Sequence, residues 1–593
     1  MPIEEKFSQK IANCCPSLVL FFIGMAVLFV RNPDPVLNPV VYAEDGMWAG
    51  LGLSNGWHYA LIHAREDYFV FLNILLLFIA TKLSVWGAGN PVALLPESIA
   101  LVSFGFFSAV ATAAFLITKG VMPILFRGWL YLLLLLLPLG MSQNEIVGRI
   151  LQVGFYIPLI SVMLLFWRDQ AATYLRIMID AVLFLCAATN PVIFAIVFLY
   201  LVWDFFKDRD LEIFRKKNLT IIISFLVLLV FLLPRMGGRG GVPGEFLTGS
   251  FIEVFIGRAI LYPLVFPWYE ALSDRIVIVA LGGWLIFVWL SFVLARNQAA
   301  KRIMVFLIVT LVVYDVATIA MRPGLTEFFS NYQGTYLDRY FMGVNVLVVF
   351  LTMVSLSQLF ISGNFVARIL GGLGLLAVVW IYGWHLSYLL ETNGSRLAIK
   401  DQFDFRDQLC LSKDSMDKSH ALVQIYPNVL GWQMKLPVEV LDRSHCEQFM
   451  LEEAPFVAGV TYQMRPSPQL GLGSPIKIFM SDHRHNERVA IQRLGVMFGV
   501  YGRKNQGDAE LRLRREDGST FVQRFSLLDL IDNKYRYFDI DPERYVSAEI
   551  VSVTGGGVST WESYDERGDN IKTCTVYEYS DGKRRFTSGC PLF

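Results

Sequence analysis

The chain has 593 residues, 55% of them hydrophobic and 14% aromatic, with a mean hydropathy of +0.49 and a formal net charge of +0. So high an apolar share over that length argues against one large soluble core and for many membrane spans. Zero net charge removes the electrostatic case for nucleic acid as a partner.

Residues 1–10 are polar and carry Lys6 and Lys10, and an apolar run covers 16–30. Arg31-Asn32-Pro33-Asp34-Pro35 follows it instead of a small-residue cleavage site, which predicts an uncleaved first helix with its N-terminus in the cytoplasm. The run Val41-Tyr42-Ala43-Glu44-Asp45-Gly46 then sets two adjacent carboxylates where the chain has just left the membrane. A solvated cap is the bland reading of such a pair; a cavity wall is the functional one. Met47, Trp48, Leu51, Leu53, Trp57 and Leu61 recur at roughly helical spacing, interrupted by Gly50, Gly52 and Gly56, as in an interfacial helix. His58, His63, Arg65, Glu66 and Asp67 lead into an apolar stretch at 68–86.

A helix crossing the hydrocarbon core takes about 20 mostly apolar residues. Candidate spans are 16–31, 97–118, 122–140, 150–167, 175–189, 190–206, 218–234, 276–296, 303–321, 340–360 and 369–389. Positive charge near span ends marks the cytoplasmic side. Lys207, Arg209, Arg215, Lys216 and Lys217 fix one loop inside, Arg296, Lys301 and Arg302 the next, and Arg368 a third. Arg168, Arg176, Lys119 and Arg127 fall inside by alternation. Glu44, Asp45 and 142–149 then face the outside, so an even number of crossings must separate them. The stretch 68–86 is therefore expected to lie in the outer interface or to be re-entrant, giving eleven crossings and an outer C-terminal part; a competing count of twelve would leave that part in the cytoplasm.

The outer loops carry the remaining polar candidates. Asn144, Glu145, Arg149 and Gln152 stand at the mouth of the bundle, and Arg235 and Arg239 flank the glycines of 235–244. Those backbone amides and arginines suit a phosphate, although they match no phosphate-loop pattern. Arg258 lies in an aromatic, interfacial stretch at 251–270. Asp338-Arg339-Tyr340 opens the next span, with Arg339 placed either to bind an anionic lipid headgroup or to pair with Asp338. Within the spans Asp180 and Asp315 read as isolated, bundle-facing acids, with no ladder of charges for an ion path.

Charge becomes dense from 391, which marks the main boundary: a membrane domain at 1–390, a mixed lead-in at 391–490 and a β-sandwich, jelly-roll-like, at 491–593. Strand-like runs occur at 494–503, 509–516, 519–526, 535–541, 545–553, 558–564 and 573–580, with Asp517-Gly518 as a hairpin signal. Tyr501, Tyr535, Tyr537 and Trp561 suit sugar stacking if exposed, and core packing otherwise. Cys410, Cys446, Cys574 and Cys590 allow two local disulfides, 410–446 and 574–590, or four free thiols. No Cys-x-x-Cys spacing points to a zinc site.

This layout resembles the GT-C integral-membrane glycosyltransferases. Tyr42-Ala43-Glu44-Asp45-Gly46 followed by Tyr68-Phe69-Val70-Phe71-Leu72-Asn73 is similar to a bacterial group linked to O-antigen and surface-polysaccharide glucosylation. The stretch 495–561, with Tyr501-Gly502-Arg503-Lys504-Asn505, resembles β-sandwich appendages of envelope proteins. The resemblance implies a polytopic helical domain with an extracytoplasmic β-domain, in the bacterial inner membrane. It implies hexosyl transfer, with inversion, from a polyprenyl-phosphate-linked sugar donor to a glycan or lipid-linked acceptor at the outer face, and no cofactor or metal. Asp45 would be the base with Glu44 second, and the substrate would meet Arg65, Asp67, Asn144, Glu145, Arg149, Arg235, Arg239, Arg258, Arg339 and Tyr340. Arg339 and Arg65 lead the candidates for the leaving phosphate. Asn73 departs from the pattern, since a basic residue often stands there in the relatives. A polysaccharide polymerase or ligase, or a lipid-linked-glycan transporter with a glycan-binding appendage, is the alternative class.

Overall fold

The computed structural model describes residues 3–37, 39–66, 68–139, 143–208, 210–236, 254–269, 272, 274–320, 336–390, 405–414, 419–426, 432–441, 451–453, 462–478, 490–501, 505–515, 517–565, 571–580, 584–587 and 590. The chain divides into two compact units, Met1–Arg396 and Leu397–Phe593.

The first unit is helical. Its helices are α1 (Ile3–Arg31), α2 (Asp34–Leu37), α3 (Ala43–Asn55), α4 (Trp57–His63), α5 (Phe71–Ala88), α6 (Leu95–Ile117), α7 (Ile124–Leu135) and α8 (Gln143–Ile146). A 3-10 turn, Leu151–Tyr156, leads into α9 (Ile157–Arg168), followed by α10 (Thr173–Thr189), α11 (Ile193–Asp208) and α12 (Leu211–Met236). A π-helical turn, Val254–Leu261, and a short helix, Tyr262–Val265, precede α13 (Asp274–Leu294), α14 (Gln298–Ala320), α15 (Met342–Phe360) and α16 (Phe365–Trp384).

Among the described residues seven helical stretches are long and apolar enough to cross a membrane, and 16–31 and 124–135 are shorter apolar helices. Burial sorts them. The stretch at 339–360 is 94% buried, whereas 275–294 is 17% buried and 365–384 is 22% buried. A helix apolar all round and buried is a core element; one apolar all round and uncovered faces lipid. α15 is therefore the central post, and α13 and α16 present their outer faces to hydrocarbon.

Polar side chains lock the helices in depth. Tyr131 and Ser108 donate to the carbonyls of Leu20 and Phe21, and Arg31 donates to those of Leu135 and Leu137. Hence α1 and α7 run the same way, with α6 against them. At one end of the bundle Asn297 and Gln358 donate to the carbonyls of Gly120 and Val121. At the other, Ser103 donates to Arg149 O, Asn32 to Val147 O and Thr189 accepts from Leu72 N–H. Glu44 and Asp45 belong to this second end, here called the acidic end.

α5 is the segment expected at 68–86, and it is one unbroken helix. Length and composition would let it cross. Its first turn is tied to the acidic end by Asn73, which donates to Ile150 O (2.8 Å) and Leu151 O (3.1 Å). Its last turn leads, through Ser84 and Asn90, into the start of α6. That start lies beyond Ser103, on the acidic side, because the other end of α6 meets Arg127 at Phe115 O. Both ends of α5 thus sit at the acidic end.

At the opposite end Asp180 is not isolated. Arg168 grips it through two bonds, Nε–Oδ1 at 2.6 Å and Nη2–Oδ2 at 3.1 Å, and also reaches Asn218 Oδ1 at 2.8 Å. Lys217, Asp204, Asp169 and Tyr200 complete the cluster. Asp315 is buried, and neither of its carboxylate oxygens has a hydrogen-bond partner among the described residues.

The second unit is β-rich. A three-stranded sheet takes the order β1-β2-β3, with β1 Lys413–Asp414, β2 His420–Gln424 and β3 Gln433–Pro437. The following strands are β4 (Leu451–Glu453), β5 (Tyr462–Pro466), β6 (Ile476–Ile478), β7 (Ile491–Gly499), β8 (Gly507–Arg515), β9 (Thr520–Ser526) and β10 (Lys534–Glu543). The chain then forms β11 (Tyr545–Gly555), β12 (Ser559–Asp565), β13 (Lys572–Thr573), β14 (Thr575–Tyr579) and β15 (Arg584–Phe586). One sheet runs β13-β12-β7-β14-β15-β4, with β10 on β7 and β5 on β12; the other runs β6-β11-β8-β9. Leu494, Val496 and Phe498 of β7 share a core with Leu511 and Leu513 of β8 and Ile550 of β11. The alternation of leucine and arginine in β8 is this packing read along one strand. Strands β4, β5 and β6 come from the expected lead-in, so residue 490 is no break in the sheets.

Tyr535 is buried beside Met497, Cys574 and Phe586, while Tyr501 keeps 44% of its surface exposed. Cys574 and Cys590 form the expected disulfide, across a separation of 16 residues. Cys446 and the side chain of Cys410 lie outside the described residues. Closing a loop of this size stabilises by about 3 kcal/mol in the chain-entropy account. The variant with both Cys574 and Cys590 changed to Ser is expected to lower the β-unit's denaturant midpoint without altering helix content, read by near- and far-UV circular dichroism.

Candidate active site

The acidic end is built around Asp45. The chain enters α3 from Tyr42, in extended backbone, through Ala43 at φ 40. A left-handed non-glycine residue costs about 1–2 kcal/mol. The turn directs Asp45 inward, and its side chain is buried, while Glu44 stays half-buried.

Asp45 Oδ2 accepts from the backbone N–H of Ile150 at 3.0 Å. Its Oδ1 is buried with no hydrogen-bond partner among the described residues. Burial pushes the carboxyl pKa up to about 7, against the lowering by the Ile150 N–H and the Arg149 charge; Glu44 adds to the rise. A carboxyl group poised near neutrality, with one oxygen uncommitted, is able to take a proton.

A chain of polar contacts runs outward from there. Arg149, buried, donates to Val40 O at 2.8 Å and lies 5.2 Å from the centre of the Tyr42 ring. Tyr42 donates its hydroxyl proton to Glu145 Oε1 at 3.0 Å, and Glu145 Oε2 takes Arg339 at 2.6 Å. Arg339 also donates to the Tyr340 hydroxyl at 3.2 Å. Arg339 keeps 27% of its side chain exposed, whereas Glu145 keeps 8%. The arginine is therefore the member of the chain that an incoming anion can meet.

Of the residues expected from sequence, the structure brings together Asp45, Glu145, Arg149, Arg339 and Tyr340, with Glu44 next to Asp45. Arg339 pairs with Glu145; the side chain of Asp338 lies outside the described residues, as does that of Asn144. Arg65 and Arg235 form a separate group. Arg235 donates to Ile62 O and Arg65 O and stacks on Phe69, and Arg65 stacks on Tyr68. Arg258 is buried against the Tyr262 ring, 3.2 Å from its centre, and its carbonyl accepts from Asn345 Nδ2 of α15 at 3.1 Å. Asp67 and Arg239 lie outside the described residues.

Two residues acquire roles that sequence reasoning did not assign. Tyr42 links the acid pair to Glu145, and its place beside Glu44 in the motif was the available signal. Asn73, buried, uses its amide to hold two carbonyls beside Asp45's own anchor at Ile150. A basic side chain there would lose the neutral fit to that strand of backbone. Among the described residues no group of three or more His, Cys, Asp or Glu side chains is placed to hold a metal. Comparison with protein-family models, with curated proteins and with solved structures finds no match to this chain.

Proposed function

We propose that the protein is a membrane glycosyltransferase that moves a sugar, with inversion, from a polyprenyl-phosphate donor to a glycan or lipid-linked acceptor. The observation that carries this reading is a buried Asp45 with one uncommitted oxygen, set a short polar relay away from a partly exposed arginine. In the proposed step an acceptor hydroxyl attacks the anomeric carbon and gives its proton to Asp45. The bond from that carbon to the phosphate oxygen breaks, and polyprenyl phosphate leaves with the electron pair. Arg339 faces the charge that develops on the leaving group. In this reading eleven helices cross, and the acidic end and the β-rich unit both face the extracytoplasmic side of a bacterial inner membrane.

Lipid-carried sugar, unlike nucleotide sugar, is present at that face, and the long apolar helices bring such a donor within reach. Purified protein in lipid nanodiscs should release polyprenyl phosphate only when both donor and acceptor are supplied. Loss of the protein from cells should make one lipid-linked sugar accumulate. Release without acceptor, or no accumulating intermediate, would count against transfer. Arg339→Ala is expected to weaken donor use by about 10²-fold in kcat/KM, in the range of a lost charge-stabilising donor. A variant with unchanged donor dependence removes Arg339 from the phosphate role.

A further inference from the structure

We propose that the bundle binds an anionic phospholipid at the end away from Asp45, with one acyl chain between α13, α15 and α16 and the headgroup on Arg296 and Arg368. A cavity of about 640 Å³ lies there, lined by Trp284, Phe287, Leu290, Leu356, Leu359 and Leu370 among others. Among its polar lining atoms, Trp284 Nε1, Thr352 Oγ1 and Asn364 Oδ1 are engaged with one another or with backbone. Trp284 donates to the Thr352 hydroxyl at 3.0 Å, and Asn364 Oδ1 accepts from the N–H groups of Val366 and Ala367. The wall suits a hydrocarbon chain and offers nothing to a sugar or an ion. α13 and α16 are largely uncovered and α15 forms the back, so the cavity is reached from the hydrocarbon.

The second observation is charge. Leu294 and Ala367 line the cavity, and Arg296 and Arg368 stand directly beyond them. Both arginines are exposed and both converge on one turn, Ser362-Gly363. A Cβ on Gly363 would fall 2.1 Å from Arg296 Nη2, and Arg368 Nη2 lies 3.4 Å from Ser362 O. Lys301 and Arg302 follow Arg296, and neither 295–302 nor 360–368 contains an acidic residue. Basic side chains at the rim of an apolar cleft between membrane helices are complementary to an anionic headgroup with its chain.

Native mass spectrometry of the full chain in mild detergent, titrated with phosphatidylglycerol and with phosphatidylcholine of matched chains, tests this. Wild type is expected to retain one phosphatidylglycerol with about tenfold preference over phosphatidylcholine. The double variant with Arg296→Gln and Arg368→Gln should bind the two lipids equally. Gly283 lines the cavity, and a Cβ there meets nothing within 4 Å, so Gly283→Phe fills it and should abolish retention of either lipid. Glycerol phosphate, the headgroup without chains, should not compete. Equal binding of the two lipids by wild type would overturn the proposal. So would preference surviving loss of both arginines, retention by Gly283→Phe, or competition by glycerol phosphate; melting temperatures of the variants control for folding.

Discussion

Asp45→Asn is expected to lower sugar transfer by about 10²–10⁴-fold while leaving the protein folded, the range for loss of a positioned general base. Asparagine keeps a carbonyl oxygen for the Ile150 N–H, so the anchor to the Leu151–Tyr156 turn survives. What it loses is the ability to take a proton. The pH dependence carries the same information. Wild-type transfer should rise as pH increases through about 7, because the base must be ionised, and the residual activity of Asp45→Asn should lack that limb. Stability moves oppositely. A carboxyl group raised from 3.8 to about 7 by burial stays protonated in the folded state at pH values where the unfolded chain has released its proton. Its contribution therefore declines as pH rises from about 4 to about 7, and Asp45→Asn should flatten that decline. Activity and melting temperature measured on the same preparations across pH 5–9 check both. Near-normal transfer by a folded Asp45→Asn variant would leave Asp45 as a structural cap alone.

The acid pair, the apolar helices and the β-strands were legible because each is written locally: in adjacent residues, in run length, in period-two alternation. Strands β7 to β12 fall within a few residues of the runs that predict them. Pairings between distant residues were not legible. Asp180 reads as isolated in the sequence because its partner, Arg168, lies across a turn and reads there as a marker of the cytoplasmic side. Glu145 and Arg339 are 194 residues apart, and only the packing of the central α15 brings them together. Sequence offered six outer arginines to the substrate; burial separates them, with Arg149 and Arg258 buried and Arg339 partly open. Asn73 read as a departure because a side chain that binds backbone carbonyls leaves no charge signature.

Arg168→Ala is expected to destabilise the helical unit by about 3–5 kcal/mol, the cost of leaving a buried charge without its partner. Arg168 and Asp180 have side-chain exposures of 0% and 1%, so bulk solvent screens the stranded carboxylate little. The damage spreads, because the same group holds Asn218 and the Lys217 carbonyl of α12 and reaches Tyr200 of α11. Four helices, α9 to α12, share this one cation. Replacing both partners, Arg168→Met with Asp180→Leu, removes the charge that Arg168→Ala strands and should recover most of the loss. A double variant no more stable than Arg168→Ala would mean that the bonds to Asn218 and Lys217, and not the ion pair, hold the cluster. The readout is thermal unfolding in detergent. The cluster sits at the far end of α9 from the Leu151–Tyr156 turn that anchors Asp45. Arg168→Ala should therefore reduce the amount of folded protein while transfer per folded molecule stays near wild type. A fall in specific activity at unchanged stability would instead tie the two ends of α9 together.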